Sequence, residues 1–538
     1  MVLGEDSKEY RPETEKLEPG SSCIGRLRRR VAARAEFAGK VRRESNCTNK
    51  PHTAMPAHTR LNAAALPVLA ARGLPVPSYR RDQLPGVVHL GLGAFHRAHQ
   101  ALVCDALLAR GDDRWGILGV AMRSTQLADA LREQDGLYAV QIASEQGAGW
   151  HLCGAVWQTC VAQRERDAVV RAIAAPSTRW ITLTVTEKAY GPALAELLVQ
   201  GLSARRAAGL AGLTIASCDN LSGNGSKLEA MCQALVQEQE HKQEKKQDQG
   251  AALGRWMAGH CAFPNSMVDR IVPAATPARL AAAQTALGLN DQAALGTEAF
   301  WEWVIERRFA DASDEDALAA VGVTVVDDVA PFEEAKLRLL NASHSALACL
   351  GAVLGLGTVD QCIAQNPVRQ FVHEFITLDV GPQLRRPDVA TYRDALLARF
   401  ANPALAHSVH QIATDSSVKI PQRWVPSVLA GLARQQPMQR LAFCAAAWMR
   451  YLRGMDERGR VYQLNDPMAD KLQALAQAHA GDAPASVAAL GTMQNIWGGS
   501  LAQHQAWHTE VTQQLERINR QGIFGALAGL AIPATDLL

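Results

Sequence analysis

Three polar side chains in the stretch KLRLLNASH, from Lys336 to His344, have the types and spacing to move a proton to or from an oxygen. Leu337, Leu339 and Leu340, with the SALACLGAVLGL run that follows, predict a mostly buried helix. At about 100° per residue, Lys336, Asn341 and His344 fall within roughly 140° of one another on it. Burying three polar groups on one side of an apolar helix is costly unless something uses them. A lysine stripped of water loses its preference for the charged form, which brings it toward the range of a general base. Asn341 can donate to an oxygen, and His344 can donate or accept. The competing reading has Lys336 snorkelling to solvent while the other two satisfy local backbone. Glu333, one turn before Lys336, could exchange protons with the lysine or hold its charge. As an exposed first-turn acid it would instead be favoured simply by the helix dipole.

Other elements must bring a partner to this helix. Val87 to Leu90 reads as a short buried strand, Gly91 and Gly93 as a tight turn continuing through Ala94 and Phe95, and His99 to Leu108 as a helix. Strand, glycine turn and helix together cradle a dinucleotide pyrophosphate. The third glycine of the usual fingerprint is His96, so helix and strand must pack differently there. The next strand, Trp115 to Met122, ends in Arg123-Ser124 where a ribose-binding acid usually stands. An arginine there suits a 2′-phosphate and leaves NAD against NADP open. Further strands are read at LYAVQIA, at Trp180 to Thr186 and in LTIAS. The polar residues Thr186-Glu187-Lys188 and Asp219, Asn220 and Asn224 follow the last two. Ligands bind at such carboxyl ends in open α/β sheets. SCDNLSGNG equally has the composition of a plain turn.

Beyond Lys336 the apolar spacing is helical almost throughout, except for ATDSSVKIPQRW, which reads as a polar loop holding Asp415, Lys419, Gln422 and Arg423. The expected architecture is an α/β Rossmann-type N-terminal domain over residues 55–330, followed by a mostly α-helical C-terminal domain over 331–538. The Lys336 helix would stand at the cleft between them, where ligand sites favour. Residues 1–54, polar and then strongly basic, read as a disordered extension, with Met55 as an alternative start. Gln237 to Gly250 reads as a solvated helix extension or mobile loop.

The chain has 538 residues, 48% apolar and 20% charged, with a net charge of +2. That balance gives no push toward nucleic acid or membrane partners. No uninterrupted apolar run reaches membrane-spanning length. Eleven cysteines, scattered without paired or zinc-like spacing, fit a reducing, cytoplasmic compartment and offer no metal site. The oligomeric state is not legible.

The blocks VVHLGLGAFHRAHQA, TLTVTEKAYG, SCDNLSGNG, FPNSMVDRI, WVIERRF, KLRLLNASHSALA and QIATDSSVKIPQR, in this order over roughly residues 60 to 535, resemble the polyol-specific long-chain dehydrogenases. That family includes mannitol 2-dehydrogenase, arabinitol dehydrogenase and fructuronate reductase. The resemblance implies a zinc-independent oxidoreductase using NAD. It makes Lys336 the general acid/base, Asn341 and Asn220 the pair that hydrogen-bonds the reacting oxygen, and His344 a residue that orients the substrate. TVTEKAYG and QIATDSSVKIPQR look more like the fructuronate reductase branch. The reading this gives is reduction of D-fructuronate to D-mannonate by NADH, whose substrate carboxylate needs a cationic partner, with Lys188, Lys419 and Arg423 as candidates. The alternative is a neutral pair such as fructose and mannitol, or xylulose and arabinitol.

Overall fold

A computed structural model describes residues 59–144, 147–242 and 247–530; the expected extension over 1–54 lies outside them. Five short strands, β1 (Val87–Leu90), β2 (Ile117–Ala121), β3 (Val156–Val161), β4 (Trp180–Leu183) and β5 (Thr214–Ser217), pair in the order β3-β2-β1-β4-β5. Every pairing is parallel. Their near-continuous apolar runs follow from burial on both faces. Val87 packs into one core cluster while Val88 and Leu90 pack into another, because alternate side chains leave opposite faces of a strand. The chain builds outward from β1 to β3, then returns to set β4 on the other side of β1. That reversal opens a crevice at the carboxyl ends of β1 and β4, as a Rossmann-type sheet does.

Two smaller three-stranded sheets flank the main one. The first joins Tyr138–Ser144, Gly147–Cys153 and Leu295–Glu298, and the second joins Ser266–Asp269, Glu302–Glu306 and Thr324–Val326. The helix expected after the glycine turn is two helices, α1 (Ala94–Ala98) and α2 (Gln100–Ala109). His99 breaks them with φ −126° and ψ −89°.

The organising helix, α3, runs over Ala330–Leu354 and is long and apolar enough to cross a membrane. Its apolar window is 94% buried inside the protein, which makes it a core helix. Between Lys336 and Asn341 it widens into a π-helical turn. The remainder is helical and packs one large apolar cluster around the Ala342–Leu354 segment. Helix α4 (Val389–Phe400) carries Arg399, whose two ends bond Asp269 and Glu298 at 2.8 Å. Those buried ion pairs fasten the helical part to the strand-bearing part.

ATDSSVKIPQRW is not a loop. It forms α5 (Ser416–Arg423), entered through Asp415 in the left-handed region and holding Pro421 inside. The Asp466 carboxylate accepts the hydroxyls of Ser416 and Ser417. This long-range partner makes burial of a polar first turn tolerable, and no local propensity could reveal it. All nine described cysteines are buried and free. The charged Gln-rich run extends the helix Asn224–Lys242, and residues 243–246 lie outside the described part.

Candidate active site

Lys336 sits where α3 widens. Its side chain is only 9% exposed, and its Nζ donates to Oδ1 of Asn220 at 2.7 Å. Asn220 lies just past the carboxyl end of β5, so the lysine faces the edge of the sheet where the crevice opens. The Ala342 N–H reaches back to Leu337 O, the spacing of a π-turn. In a regular helix Asn341 would point roughly 140° away from Lys336. The wide turn instead brings residue 341 round toward residue 336, and single π-turns are frequent at functional sites.

Asn341 and His344 are 7% and 6% exposed, and Asn341 Nδ2 and His344 Nε2 have no hydrogen-bond partner. Native proteins rarely leave buried polar atoms unpaired. Burial pushes the Lys336 ammonium below its usual pKa; Asp269 opposes the shift, and Arg399 and Arg423 add to it. Burial likewise holds His344 well below the usual imidazole range, with His407, Arg423 and Arg399 acting in the same direction. Lys336 and His344 therefore share one set of charged neighbours. Glu333 is buried, not exposed: it accepts the Ser222 hydroxyl at 2.9 Å and the Gly223 N–H at 3.3 Å. Burial raises its pKa above the ordinary carboxylate value. A buried amine able to lose its proton, beside amide donors, can exchange a proton with a carbinol or carbonyl oxygen and stabilise the charge that develops there.

The glycine turn lies at the same sheet edge. Gly91 has φ +103°, and a Cβ on it would stand 2.2 Å from Thr184 O, so no other residue fits. Beside Gly93 the space is open, with Gly91 O at 3.6 Å the nearest atom to a Cβ there. Gly93 caps α1, and the first-turn N–H groups at Ala94 and Phe95 have no partner within the helix. This cradle fits a dinucleotide pyrophosphate. His96 takes the third glycine position by stacking flat on His89, ring centroids 3.3 Å apart. The His89 ring is held by the hydroxyls of Thr182 and Thr184, at 2.8 and 2.9 Å. Burial drives His89 down to about 3, so the stack is uncharged.

Residues 85–315 match the model of the mannitol dehydrogenase Rossmann domain, and residues 328–519 match that of the mannitol dehydrogenase C-terminal domain. The chain belongs to the mannitol dehydrogenase family. It is an oxidoreductase of that family, a secondary-alcohol dehydrogenase. Mannitol 2-dehydrogenase of Phaeosphaeria nodorum is 34% identical over 521 residues, covering 90% of this chain and 88% of that protein. The uncharacterized oxidoreductase YeiQ of Escherichia coli is 34% identical over 482 residues, covering 84% of this chain and 96% of that one. The ternary complex of Pseudomonas fluorescens mannitol 2-dehydrogenase with NAD and D-mannitol aligns with a TM-score of 0.75 at 30% identity, over 88% of this chain and 99% of that one.

The mannitol dehydrogenase fold sorts the remaining expected residues. Arg123 is exposed at the carboxyl end of β2. Lys188 is exposed in the short turn Glu187–Ala189, with no hydrogen bond to the Lys336 cluster among those described. Lys419 donates to Ile412 O at 3.0 Å, a contact within its own neighbourhood. Arg423 touches α3, donating to Asn341 O at 3.0 Å and Ser345 Oγ at 2.8 Å.

Three features escape a reading of the sequence. Asp269 stands out there only as an acid after a turn, yet it is buried, accepts the Tyr392 hydroxyl at 2.7 Å and is gripped by Arg399. Its partners lie 123 and 130 residues away, beyond any local pattern. Thr186 has φ +72°, strained for a β-branched residue. Asp219 holds it there by accepting the Thr186 N–H at 2.7 Å. The π-turn is the third: nothing in KLRLLN distinguishes it from regular helix.

Proposed function

We propose that this protein is an NAD-dependent dehydrogenase interconverting an open-chain polyol and its ketose, as between mannitol and fructose. The observation that carries the reading is the Lys336 cluster. A buried lysine bonded to Asn220 has an unpartnered amide donor, Asn341 Nδ2, and the buried His344 beyond it on the same helix. The relatives named mannitol 2-dehydrogenase, and the solved complex of one with NAD and D-mannitol, support both the cofactor and the substrate class.

Gly91, Gly93, Ala94 and Phe95 would hold the cofactor pyrophosphate, with Arg123 at the edge of the adenosine end. NAD, when bound, supplies the acceptor for the hydride leaving the carbinol carbon, and its reduced form the donor for the reverse reaction. Lys336, unprotonated, takes the hydroxyl proton during oxidation and returns it to the ketone oxygen during reduction. Asn220 receives the lysine on its amide oxygen, which leaves its NH2 to donate to the reacting oxygen. Asn341 Nδ2 supplies the second donor. One such donor is worth about 3 kcal/mol in the transition state. His344 orients a neighbouring hydroxyl. Glu333, whose pKa burial raises, exchanges a proton with the lysine one turn along the helix.

Fructuronate reduction is the second reading, favoured by Arg423, whose charge acts on both Lys336 and His344. The two hydrogen bonds that commit Arg423 to α3 weigh against it as a free carboxylate clamp. Initial rates of NADH oxidation with fructose, xylulose, fructuronate and tagaturonate, measured side by side, test the choice. A preference for fructose or xylulose is expected. A preference for fructuronate would transfer the site to the uronate reaction and give Arg423 the carboxylate.

A further inference from the structure

A small cavity of about 10 Å³ adjoins α3, lined among others by His344, Asp360, Arg399, Phe400, Asn402 and His407. Three polar atoms of these residues have no hydrogen-bond partner: His344 Nε2, His407 Nδ1 and Asp360 Oδ1. The other polar groups are committed. Arg399 is spent on Asp269 and Glu298, and Asn402 donates to Ala143 O and accepts the Ala404 N–H. The three unpartnered atoms come from separate segments: α3, the helix Val359–Ile363, and the chain just before the helix Val409–Ala413. The His344 and His407 rings meet edge to face with centroids 5.3 Å apart, and Phe400 closes on His344 at 4.6 Å. Each buried polar atom left unpaired costs about 1–3 kcal/mol. A cavity of roughly this size has room for about one water, and a buried water needs two to four polar partners.

We propose that this cavity is a water site, and that Asp360 and His407 act through its water as positioning residues for His344. The His344 Nε2–H donates to the water oxygen. The water donates one hydrogen to Asp360 Oδ1 and the other to His407 Nδ1. Both rings are neutral, since burial holds each well below the usual imidazole range, His407 at about 4. The arrangement fixes His344 in the Nε2–H tautomer and leaves Nδ1 as an acceptor for a substrate hydroxyl. The inference rests on the polyol reading only for what Nδ1 accepts; the water and the tautomer stand without it.

The test pairs a measurement that needs no activity with one that does. Nitrogen-15 NMR of the histidine-labelled full chain should report Nε2–H for His344, with a shift in that signal in Asp360→Ala and its recovery in Asp360→Asn, which keeps an acceptor oxygen. With fructose and NADH, Asp360→Ala should raise KM by roughly tenfold, the scale of one hydrogen bond, with kcat little changed. Asp360→Asn should restore most of that loss. In a His344→Ala background, Asp360→Ala should add nothing further. An Nδ1–H tautomer in the wild-type chain, or full additivity of the two substitutions, would overturn the proposal. Should the wild-type chain turn over no ketose, the polyol reading fails while the NMR result still decides the water site.

Discussion

The Nζ of Lys336 and the Oδ1 of Asn220 lie 2.7 Å apart across 116 residues of chain, one on the core helix α3 and the other at the carboxyl end of β5. This bond joins the helix to the sheet edge that carries the glycine turn. It also holds a buried amine whose proton is weakly kept, because burial is the largest influence on it.

A pH dependence follows in two observables. The folded pKa of Lys336 lies below the usual 10.5, so between the two values the unfolded chain binds the extra proton and stability rises with pH. Below that window the full cost of burying the charge is present. Lys336→Met should therefore raise the melting temperature at neutral pH, with the gain shrinking as pH approaches 10.5. In kinetics, kcat/KM for polyol oxidation should rise with pH through the folded pKa, and that for ketose reduction should fall.

Asn341→Ala separates catalysis from stability. Its Nδ2 has no partner in the folded protein, so truncation removes an unsatisfied donor and should leave the melting temperature unchanged or slightly higher. Turnover should fall by about 10²- to 10³-fold, the usual loss for one donor to a developing oxyanion. Parallel melting curves and steady-state rates check both halves.

The site was partly legible. Lys336, Asn341 and His344 stand out as candidates because polar residues in an apolar helix contradict its pattern, and the glycine turn stands out because it follows a strand. What closes the site was not legible. The π-turn that brings Asn341 toward Lys336 depends on backbone hydrogen bonds, not on residue type. The Arg399–Asp269–Tyr392 network depends on packing between segments more than a hundred residues apart. In ATDSSVKIPQRW the proline and serines favour a loop, and only the distant Asp466 makes the segment helical.

Arg399→Met tests that network. It would leave Asp269 and Glu298 buried without their cation, a change that costs about 3–5 kcal/mol. Chemical denaturation should show a loss of that size at neutral pH. Arg399 also holds the Asp269 carboxylate below its usual range, so this part of the stability is present above pH 3.8 and lost as pH falls through the folded value. The acid limb of the wild-type stability profile should flatten in Asp269→Asn.

Gly91→Ala addresses the cofactor cradle. The added methyl would stand 2.2 Å from Thr184 O at a backbone angle that suits glycine alone. Titration of NADH by fluorescence should show a dissociation constant raised by at least tenfold, while Lys336 variants keep the wild-type value.

Lys336→Ala, assayed for turnover with NADH and fructose beside its NADH affinity, tests the account most directly. The expected result is a fall in kcat of about 10²- to 10⁴-fold, the contribution of a positioned acid/base, with NADH affinity unchanged. Wild-type turnover in the variant would contradict the account and reduce Lys336 to a buried structural lysine.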